Sequence, residues 1–424
     1  MAAHNVKSVI RAKSAVAGLV LTLSVIVGVV PLGVAASATA PNFKGTISLL
    51  TFGPYTLASG ANVAYDTPEA LVGAQAAAAE LNASGGIDGY KVKIVGCNTQ
   101  GLPNGPVTCA QQAVADHVAA VVGVGIGDAT GISMATLQAA GIPDIGNLPF
   151  GPEATSPDSY PLSGGTSSLL AGEAAVEAGK GVSSESLVIN EGPAVAQIPV
   201  LLKPIFQHFP GFSLPLIPIP ATAIDLSSVV AQAEQSPVIG LNPGNTNSLG
   251  AFMTAYKQSG AVRPIVSNAY SYGPNAIAQV GAALSNGIID ISDSLPPTDT
   301  KNPGVAAYDD WMSKTNKHAQ LDLSSAWAYA SVFMVNAMAQ QTKMHDQPIT
   351  SSQLVSALNA TKDVVVPLFP PMQFTTPSID TAAHFPRVFQ NDVVVTKIVK
   401  GKLVATTGQF VDAYTGIAVR VKKK

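Results

Sequence analysis

Short loops rich in glycine, asparagine and tyrosine follow most of the apolar segments that the sequence predicts as strands. Side chains able to contact a small molecule stand in these loops: Tyr55, Asp128, Asn147, Phe150, Glu191, Asn242, Asn268 and Tyr270. Ligands of open parallel sheets bind at the carboxyl ends of the strands, where such loops gather. Helix starts in the same loops offer free backbone N–H groups. The loops therefore predict a small-molecule binding site built from amides, aromatic rings and backbone donors.

Several of these residues also have a purely structural interpretation. Asp128 precedes a predicted helix, Ala129–Ala140, and would serve as its N-cap. Phe150 and Tyr270 would also suit packing, and Glu191 would suit a solvated loop. The histidines are scattered without the spacing of metal ligands, which argues against a metal site: His117, His208, His318, His345 and His384.

The elements that would position these loops alternate regularly between strand and helix. A first series of apolar strands reads "GTISLLTF", "YKVKIVG", "VAAVVGVG" and "GIPDIGN". A second reads "ESLVIN", "SLPLIPIP", "SPVIGLN", "RPIVSN" and "GIIDIS". Strands of this kind, separated by helices, are typical of parallel sheets covered on both faces. The sequence thus predicts an α/β protein with two Rossmann-like lobes. A last segment adds helices near 304–317 and 323–341 and an antiparallel pair of strands.

The amino-terminal segment has the features of an export signal. Lys7, Arg11 and Lys13 precede a largely apolar run that Pro31 ends, and small residues follow. We expect a signal peptide of residues 1–38, with an uncleaved anchor as the alternative. The protein is then periplasmic or extracellular, and no cysteine precedes Cys97 to carry a lipid anchor.

Charge and motifs exclude several classes of function. Without residues 1–38, 20 lysines and arginines face 26 acidic residues, so a nucleic-acid or anionic-membrane partner is not expected. The basic tail, 416–424, is interpreted as solvated. The sequence lacks a Gly-x-Ser-x-Gly elbow, a His-Glu-x-x-His pair and a phosphate-binding Gly-Lys-Ser/Thr. We therefore expect no enzyme and no cofactor; a secreted hydrolase with a dispersed site is the less favoured alternative.

The two cysteines of the chain favour a disulfide. Cys97 ends a predicted strand and Cys109 begins the next helix, with a loop rich in proline and glycine between them. Pairing is the default for two thiols in an exported chain. Metal binding is disfavoured because no histidine stands nearby.

The stretch "TPEALVGAQAAAAELNASGGIDGYKVKIVGCN" resembles the signature of type I periplasmic solute-binding proteins. The resemblance is greatest to the branched-chain amino-acid branch, and "AAVVGVGIGDATG" and "AAGIPDIGNLPFGPEATSPDSYPLSGG" extend it. It implies two lobes joined by three hinge crossovers, near Ser163, Ser294 and Met372. It also implies a receptor that delivers a small molecule to the permease subunits of an ABC importer. A ligand-sensing protein for a signalling partner is the alternative.

The same resemblance implies a domain organisation. The N-terminal lobe would comprise residues 42–163 and 295–372, and the C-terminal lobe residues 164–294 and 373–415. We expect a monomer whose cleft closes on its ligand.

The ligand loops depart from those of the family at several positions. The place of the serine that binds the ligand carboxylate holds Gly127 and Asp128. A second ligand loop corresponds to 146–150, which includes Asn147, and Tyr55 corresponds to an aromatic wall. The place of the acid that binds the ammonium group holds Ala269. We therefore expect a neutral or weakly polar solute with an apolar body, with Glu191 or Asp290 left open as a replacement acid.

Overall fold

The computed structural model describes residues 41–59, 66–123, 131–191, 195, 198–220, 223, 225–342, 346–381, 383–406 and 409–415. Two predicted ligand residues, Gly127 and Asp128, lie outside these ranges. Within them, no helix is both long and apolar enough to cross a membrane.

The elements alternate as the sequence predicts. The strands are β1 (Thr46–Gly53), β2 (Lys91–Asn98), β3 (Ala120–Val122), β4 (Asp144–Ile145), β5 (Ser159–Tyr160), β6 (Glu185–Asn190), β7 (Leu216–Ile219), β8 (Val238–Leu241), β9 (Ile265–Asn268), β10 (Ile289–Ser292), β11 (Asp392–Val399), β12 (Lys402–Ala405) and β13 (Val411–Asp412). The helices are α1 (Ala70–Ala83), α2 (Gly105–Ala115), α3 (Ile132–Ala139), α4 (Gly165–Gly179), α5 (Ile198–His208), α6 (Ser227–Ala233), α7 (Thr246–Ser259), α8 (Pro274–Val280), α9 (Ala282–Ser285), α10 (Pro303–Thr315), α11 (Leu323–Thr342) and α12 (Ser351–Ala360). A short 3₁₀ helix, Gly151–Ala154, lies between β4 and β5.

The strands form two sheets. The smaller sheet has the order β2-β1-β3-β4-β5, and all of its pairs are parallel. The larger sheet has the order β12-β11-β10-β9-β8-β6-β7, with β13 paired to β11. Its strands β6 to β10 are parallel, whereas β11 and β12 run antiparallel to their neighbours. This confirms the predicted α/β class and the antiparallel pair.

Helices late in the chain return to the smaller sheet. The core around β1 also contains α10, α11 and α12, and α1 packs against α10 and α11. The helix α12 is not among the predicted elements; its start is a capping box between Thr350 and Gln353. The chain therefore passes between the two sheets three times, after β5, after β10 and before β11.

The segment "NASGGIDG", residues 82–89, ends α1 and leads into β2. Asn82 donates to the Val92 carbonyl and accepts from the Val92 N–H, at 2.9 and 2.8 Å, which ties the helix end to β2. Gly86 has a φ of 78°, and a Cβ there would lie 2.0 Å from the Tyr90 carbonyl oxygen. Only glycine fits this turn.

Two details of the predicted elements have clear outcomes. The disulfide between Cys97 and Cys109 is confirmed and joins β2 to α2. The apolar segment between "RPIVSN" and "GIIDIS" forms two short helices, because Gly281, with a φ of 93°, separates α8 from α9.

Candidate ligand-binding site

An open pocket lies where three parallel strands of the larger sheet end, and its space, with the adjoining solvent included, is about 660 Å³. Asn190 ends β6, Asn268 ends β9, and Asn242 directly follows β8. The loop after β4 of the smaller sheet supplies Leu148 and Phe150 to the same pocket. Residues from both sheets therefore surround one space at the carboxyl edge, as expected for a ligand cleft.

Most of the pocket surface is apolar. The side chains that line it without a polar group are Leu148, Phe150, Leu170, Ile189, Val195, Ile198 and Pro243. Binding sites for small molecules commonly combine such a lining with a few polar groups that fix orientation. The pocket is thus suited to a solute with an apolar body and few polar atoms.

The polar side of the pocket is an ordered amide network. Asn268 Nδ2 donates to Glu173 Oε1 at 2.9 Å and to Asn242 Oδ1 at 2.8 Å. Asn242 Nδ2 donates to Glu173 Oε2 at 2.7 Å. Glu173, on α4, is completely buried behind the two amides. One carboxylate therefore holds both asparagines at the pocket wall.

A second buried carboxyl group lies against the first. Glu185, at the start of β6, is also completely buried. Burial raises the pKa of Glu173 to about 7, and hydrogen bonds from Asn268, Asn242 and Glu185 oppose this. Burial, together with Glu173, raises the pKa of Glu185 further. Both oxygens of Glu173 accept from amides, whereas no described residue donates to Glu185, so the proton of this pair belongs on Glu185.

Tyr270 separates this pocket from a more acidic one of about 480 Å³. Asp66 and Thr67, before α1, and Asp322, before α11, line the acidic pocket together with Tyr270. Burial and the nearby Asp322 raise the pKa of Asp66 to about 6. Asp322 is itself used by α11, since its Oδ1 accepts from the Ser325 N–H at 2.8 Å.

Asp293 connects the pocket wall to the core of the smaller sheet. Its Oδ1 accepts from Trp327 Nε1 at 3.0 Å, and its Oδ2 accepts from the Tyr270 hydroxyl at 3.5 Å. Burial raises the pKa of Asp293 to about 6, and hydrogen bonds from Ser163 and Trp327 oppose the shift. Asp293 thereby couples β10, the loop after β9, and α11.

The structure brings some of the predicted residues together. Phe150, Asn242, Asn268 and Tyr270 line the 660 Å³ pocket, and Tyr270 also lines the acidic pocket together with Ala269.

Three other predicted residues line neither pocket. Asn147 is completely buried, and its Nδ2 donates to Asp144 Oδ2 at 2.9 Å and Ser159 Oγ at 2.8 Å. Tyr55 is half-buried against the core of the smaller sheet, and burial raises its pKa. Glu191 is exposed after β6.

Sequence reasoning missed Glu173, the group at the centre of the amide network. The available signal was a glutamate within the apolar helix segment "LLAGEAAVEAG", because a buried charge needs polar partners. Leu170, Ile189 and Ile198 carried no such signal, since apolar residues there fit a core equally well. Among the described residues, no cluster of three or more His, Cys, Asp or Glu side chains is arranged to hold a metal.

Solved structures with the same fold include several binding proteins. An extracellular ligand-binding receptor from Verminephrobacter eiseniae is 16% identical, with a TM-score of 0.71 over 85% of this chain and 99% of that one. The branched-chain amino acid transporter substrate-binding protein LivJ from Streptococcus pneumoniae, in complex with isoleucine, is 20% identical, with a TM-score of 0.66 over 85% and 98%. A fatty acid ABC transporter substrate-binding protein from Thermomonospora curvata is 16% identical, with a TM-score of 0.70 over 90% and 95%.

Comparison with curated protein sequences finds no match. Residues 51–401 match the family described as periplasmic binding protein, which is most of the chain. The fold described above, two sheets of mainly parallel strands, is that of the type I members. The chain belongs to the periplasmic binding protein family, and its fold is of type I.

Proposed function

We propose that this protein captures a small, neutral or weakly polar solute in the cleft between its two sheets and delivers it to an ABC importer. We also propose that it is exported with removal of residues 1–38. In this proposal the lobes are 42–163 with 295–372 and 164–294 with 373–415. The observation that carries the proposal is the 660 Å³ pocket, where strand ends of the larger sheet meet the loop after β4.

The ligand class follows from the groups around the pocket. Its lining is mainly apolar, and its polar groups include two amides held by a buried carboxylate. The other polar side chains of the lining are Thr166, Asn190, Tyr270 and Ser271. No lysine or arginine lines it among the described residues, so a ligand carboxylate would find no cation there. A mainly apolar, uncharged solute with one or two polar atoms would bring no charge into the pocket that needs a partner of opposite sign.

The acid that would bind an ammonium group in branched-chain amino-acid relatives has no counterpart at this pocket. Ala269 occupies its position. Asp290 is completely buried, where its Oδ2 accepts from Thr396 Oγ1 at 3.1 Å, and Glu191 is exposed. An unpaired buried ammonium costs several kcal/mol, on the order of the binding energy of a micromolar ligand. This supports a solute other than leucine, isoleucine or valine.

Proteins of the same fold are named for different kinds of ligand. One of them is in complex with isoleucine, and another is a fatty acid ABC transporter substrate-binding protein. The fold alone therefore does not fix the ligand class, and the apolar lining of the pocket is the observation that supports the class proposed here.

Native mass spectrometry of the freshly purified protein tests the proposal. We expect a retained molecule without a free ammonium group, released on denaturation. Substitution of Phe150 by Ala should lower its occupancy, whereas Phe206→Ala, at a position 40% exposed on α5, should not.

Calorimetry with leucine, isoleucine and valine should show no binding in the low micromolar range. Tight binding of any of the three would refute the proposed ligand class.

A further inference from the structure

Glu173 does not line the pocket, and it contacts the proposed ligand site only through Asn242 and Asn268, whose side chains it holds. It lies on α4, two turns from the helix start, and is completely buried. Its two carboxylate oxygens accept from different amides, Asn268 at 2.9 Å and Asn242 at 2.7 Å. A carboxylate only accepts hydrogen bonds, so both amide nitrogens must face it.

We propose that Glu173 is a positioning residue that fixes the pocket amides so that Asn268 presents its carbonyl oxygen to the ligand, which selects solutes carrying a hydrogen-bond donor. This deepens the binding function proposed above and rests on it.

The orientation of Asn268 follows from the hydrogen bonds that it makes. Both Nδ2 hydrogens are used, one on Glu173 and one on Asn242 Oδ1. Oxygen and nitrogen lie on opposite sides of an amide, so Asn268 Oδ1 is directed away from Glu173. No described residue donates to that oxygen. An acceptor in a pocket with this apolar lining favours a hydroxyl or amide N–H over an ether or ester oxygen.

Glu185 is the second buried carboxyl group of the arrangement. No described residue donates a hydrogen bond to either of its oxygens, and burial together with the neighbouring Glu173 raises its pKa, so its protonated form is favoured. The other charged groups near the pair are Glu177 of α4, Lys180 directly after α4, and Asp290 of β10. With the proton on Glu185, Glu173 stays ionised and keeps both amides in place.

The orientation of the two asparagine amides should depend on pH, because it requires the ionised form of Glu173. The ionised form of Glu173 holds the amides, and its pKa is about 7. Below that pH, a protonated oxygen can no longer accept from one of them. Orientation of the amides is therefore complete above about pH 7 and is lost as the pH falls through that value.

Two substitutions separate the roles of the carboxyl groups, and a third, Glu177→Gln, is the control. Glu173→Gln places a nitrogen where one asparagine needs an acceptor, so one amide must lose its partner. Glu185→Gln imitates the protonated form and keeps a donor toward Glu173. Glu177→Gln removes a neighbouring charge that pairs with Lys180 at 2.7 Å and leaves the amide contacts intact.

The experiment follows the side-chain NH₂ signals of Asn242 and Asn268 by NMR in the intact protein labelled with ¹⁵N-asparagine. In the wild type and in Glu185→Gln, both signals should shift together with one midpoint near pH 7. Glu177→Gln should move only the midpoint, and Glu173→Gln should abolish the titration. Wild-type titration in Glu173→Gln, or its loss in Glu185→Gln, would overturn the positioning role.

Selectivity is measured with p-cresol and 4-methylanisole, which differ by a donor O–H. We expect p-cresol to bind at least about tenfold more tightly at pH 8, and this ratio to fall toward one at pH 6 and in Glu173→Gln. Equal binding, or binding of neither, would overturn donor selection. A protein that retains no solute but gives the expected NMR titration would instead contradict the proposed function alone.

Discussion

At the scale of single residues, five carboxyl groups are completely buried in the described part of the chain. Asp144, Glu173, Glu185, Asp290 and Asp293 are all completely buried, and burial raises the pKa of each. A group whose pKa is raised on folding stabilises the protein most below its unfolded pKa. That contribution is lost as the pH rises through the folded pKa. Stability should therefore decline between about pH 5 and 8.

Asp144 allows this to be tested outside the pocket. Burial raises its pKa to about 8, and only one of its side-chain oxygens has a hydrogen-bond partner among the described residues, Asn147. We predict that Asp144→Asn flattens the decline in the free energy of unfolding between pH 5 and 8 by up to about 1.4 kcal/mol per pH unit. Urea unfolding at several pH values measures this slope.

Asp310→Asn is the matched control for this measurement. Asp310 is 57% exposed and pairs with Lys314 on the surface of α10. Its substitution should leave the slope unchanged. A slope in Asp144→Asn equal to that of the wild type would show that Asp144 does not titrate in this range.

Sequence reasoning succeeded at residues whose role depends on position along a strand. Asn242 and Asn268 were identified because they follow apolar strands, and the fold brings such ends together. Asn147 satisfied the same rule, yet its side chain turns inward to Asp144 and Ser159. The direction of a loop side chain depends on partners distant in sequence, and the sequence pattern contains no information about it.

At the scale of helices and strands, close contacts between backbones require glycine at specific positions. Gly73 of α1 faces α11, and a Cβ there would lie 2.2 Å from the Ser325 carbonyl oxygen. The alanines Ala74, Ala77 and Ala78 beside it are buried, which permits the same close approach. This packing is why the alanine-rich helix predicted from the sequence joins a helix that is more than 200 residues away in the chain.

We predict that Gly73→Ala destabilises the protein by about 1–3 kcal/mol, because α1 and α11 must separate to accommodate the methyl group. Gly179→Ala, at the end of α4, has no heavy atom within 4 Å of the new Cβ and should be neutral or slightly stabilising. Chemical unfolding compares the two variants. Equal stability of both would argue against tight packing between α1 and α11.

The disulfide provides a second test at this scale. Cys97 and Cys109 are 12 residues apart, and the bridge anchors α2 on the edge strand β2. Replacing both by serine should lower the free energy of unfolding by about 2–4 kcal/mol. Reduction of the wild-type protein should reproduce the change, and the double variant should not respond to reductant. Full wild-type stability of the variant would contradict a structural role for the bridge.

At the scale of the whole molecule, the alternation of strands and helices was enough to predict two parallel sheets. The alternation alone did not indicate where the late helices pack; only the family resemblance implied that 295–372 belongs with the N-terminal lobe. In the structure, α10 to α12 contribute to the core of the smaller sheet. The alternation also did not predict that Tyr270, in the loop after β9 of the larger sheet, packs against Trp327 of α11, which belongs to the core of the smaller sheet. The centroids of the two rings are 5.5 Å apart. Contacts of this kind arise only when three passes of the chain place distant loops side by side.

The three passes between the sheets lead to the last prediction, that the molecule closes around its solute. The pocket is lined from both sheets, so a ligand that contacts both favours an arrangement that brings them together. Saturation with the solute identified by mass spectrometry should reduce the radius of gyration in small-angle scattering. It should also stabilise the fold by about 2.7 kcal/mol at a concentration of 100 Kd. Asn268→Ala should weaken both responses at the same concentration. Saturated protein with an unchanged radius of gyration would show that binding occurs without closure.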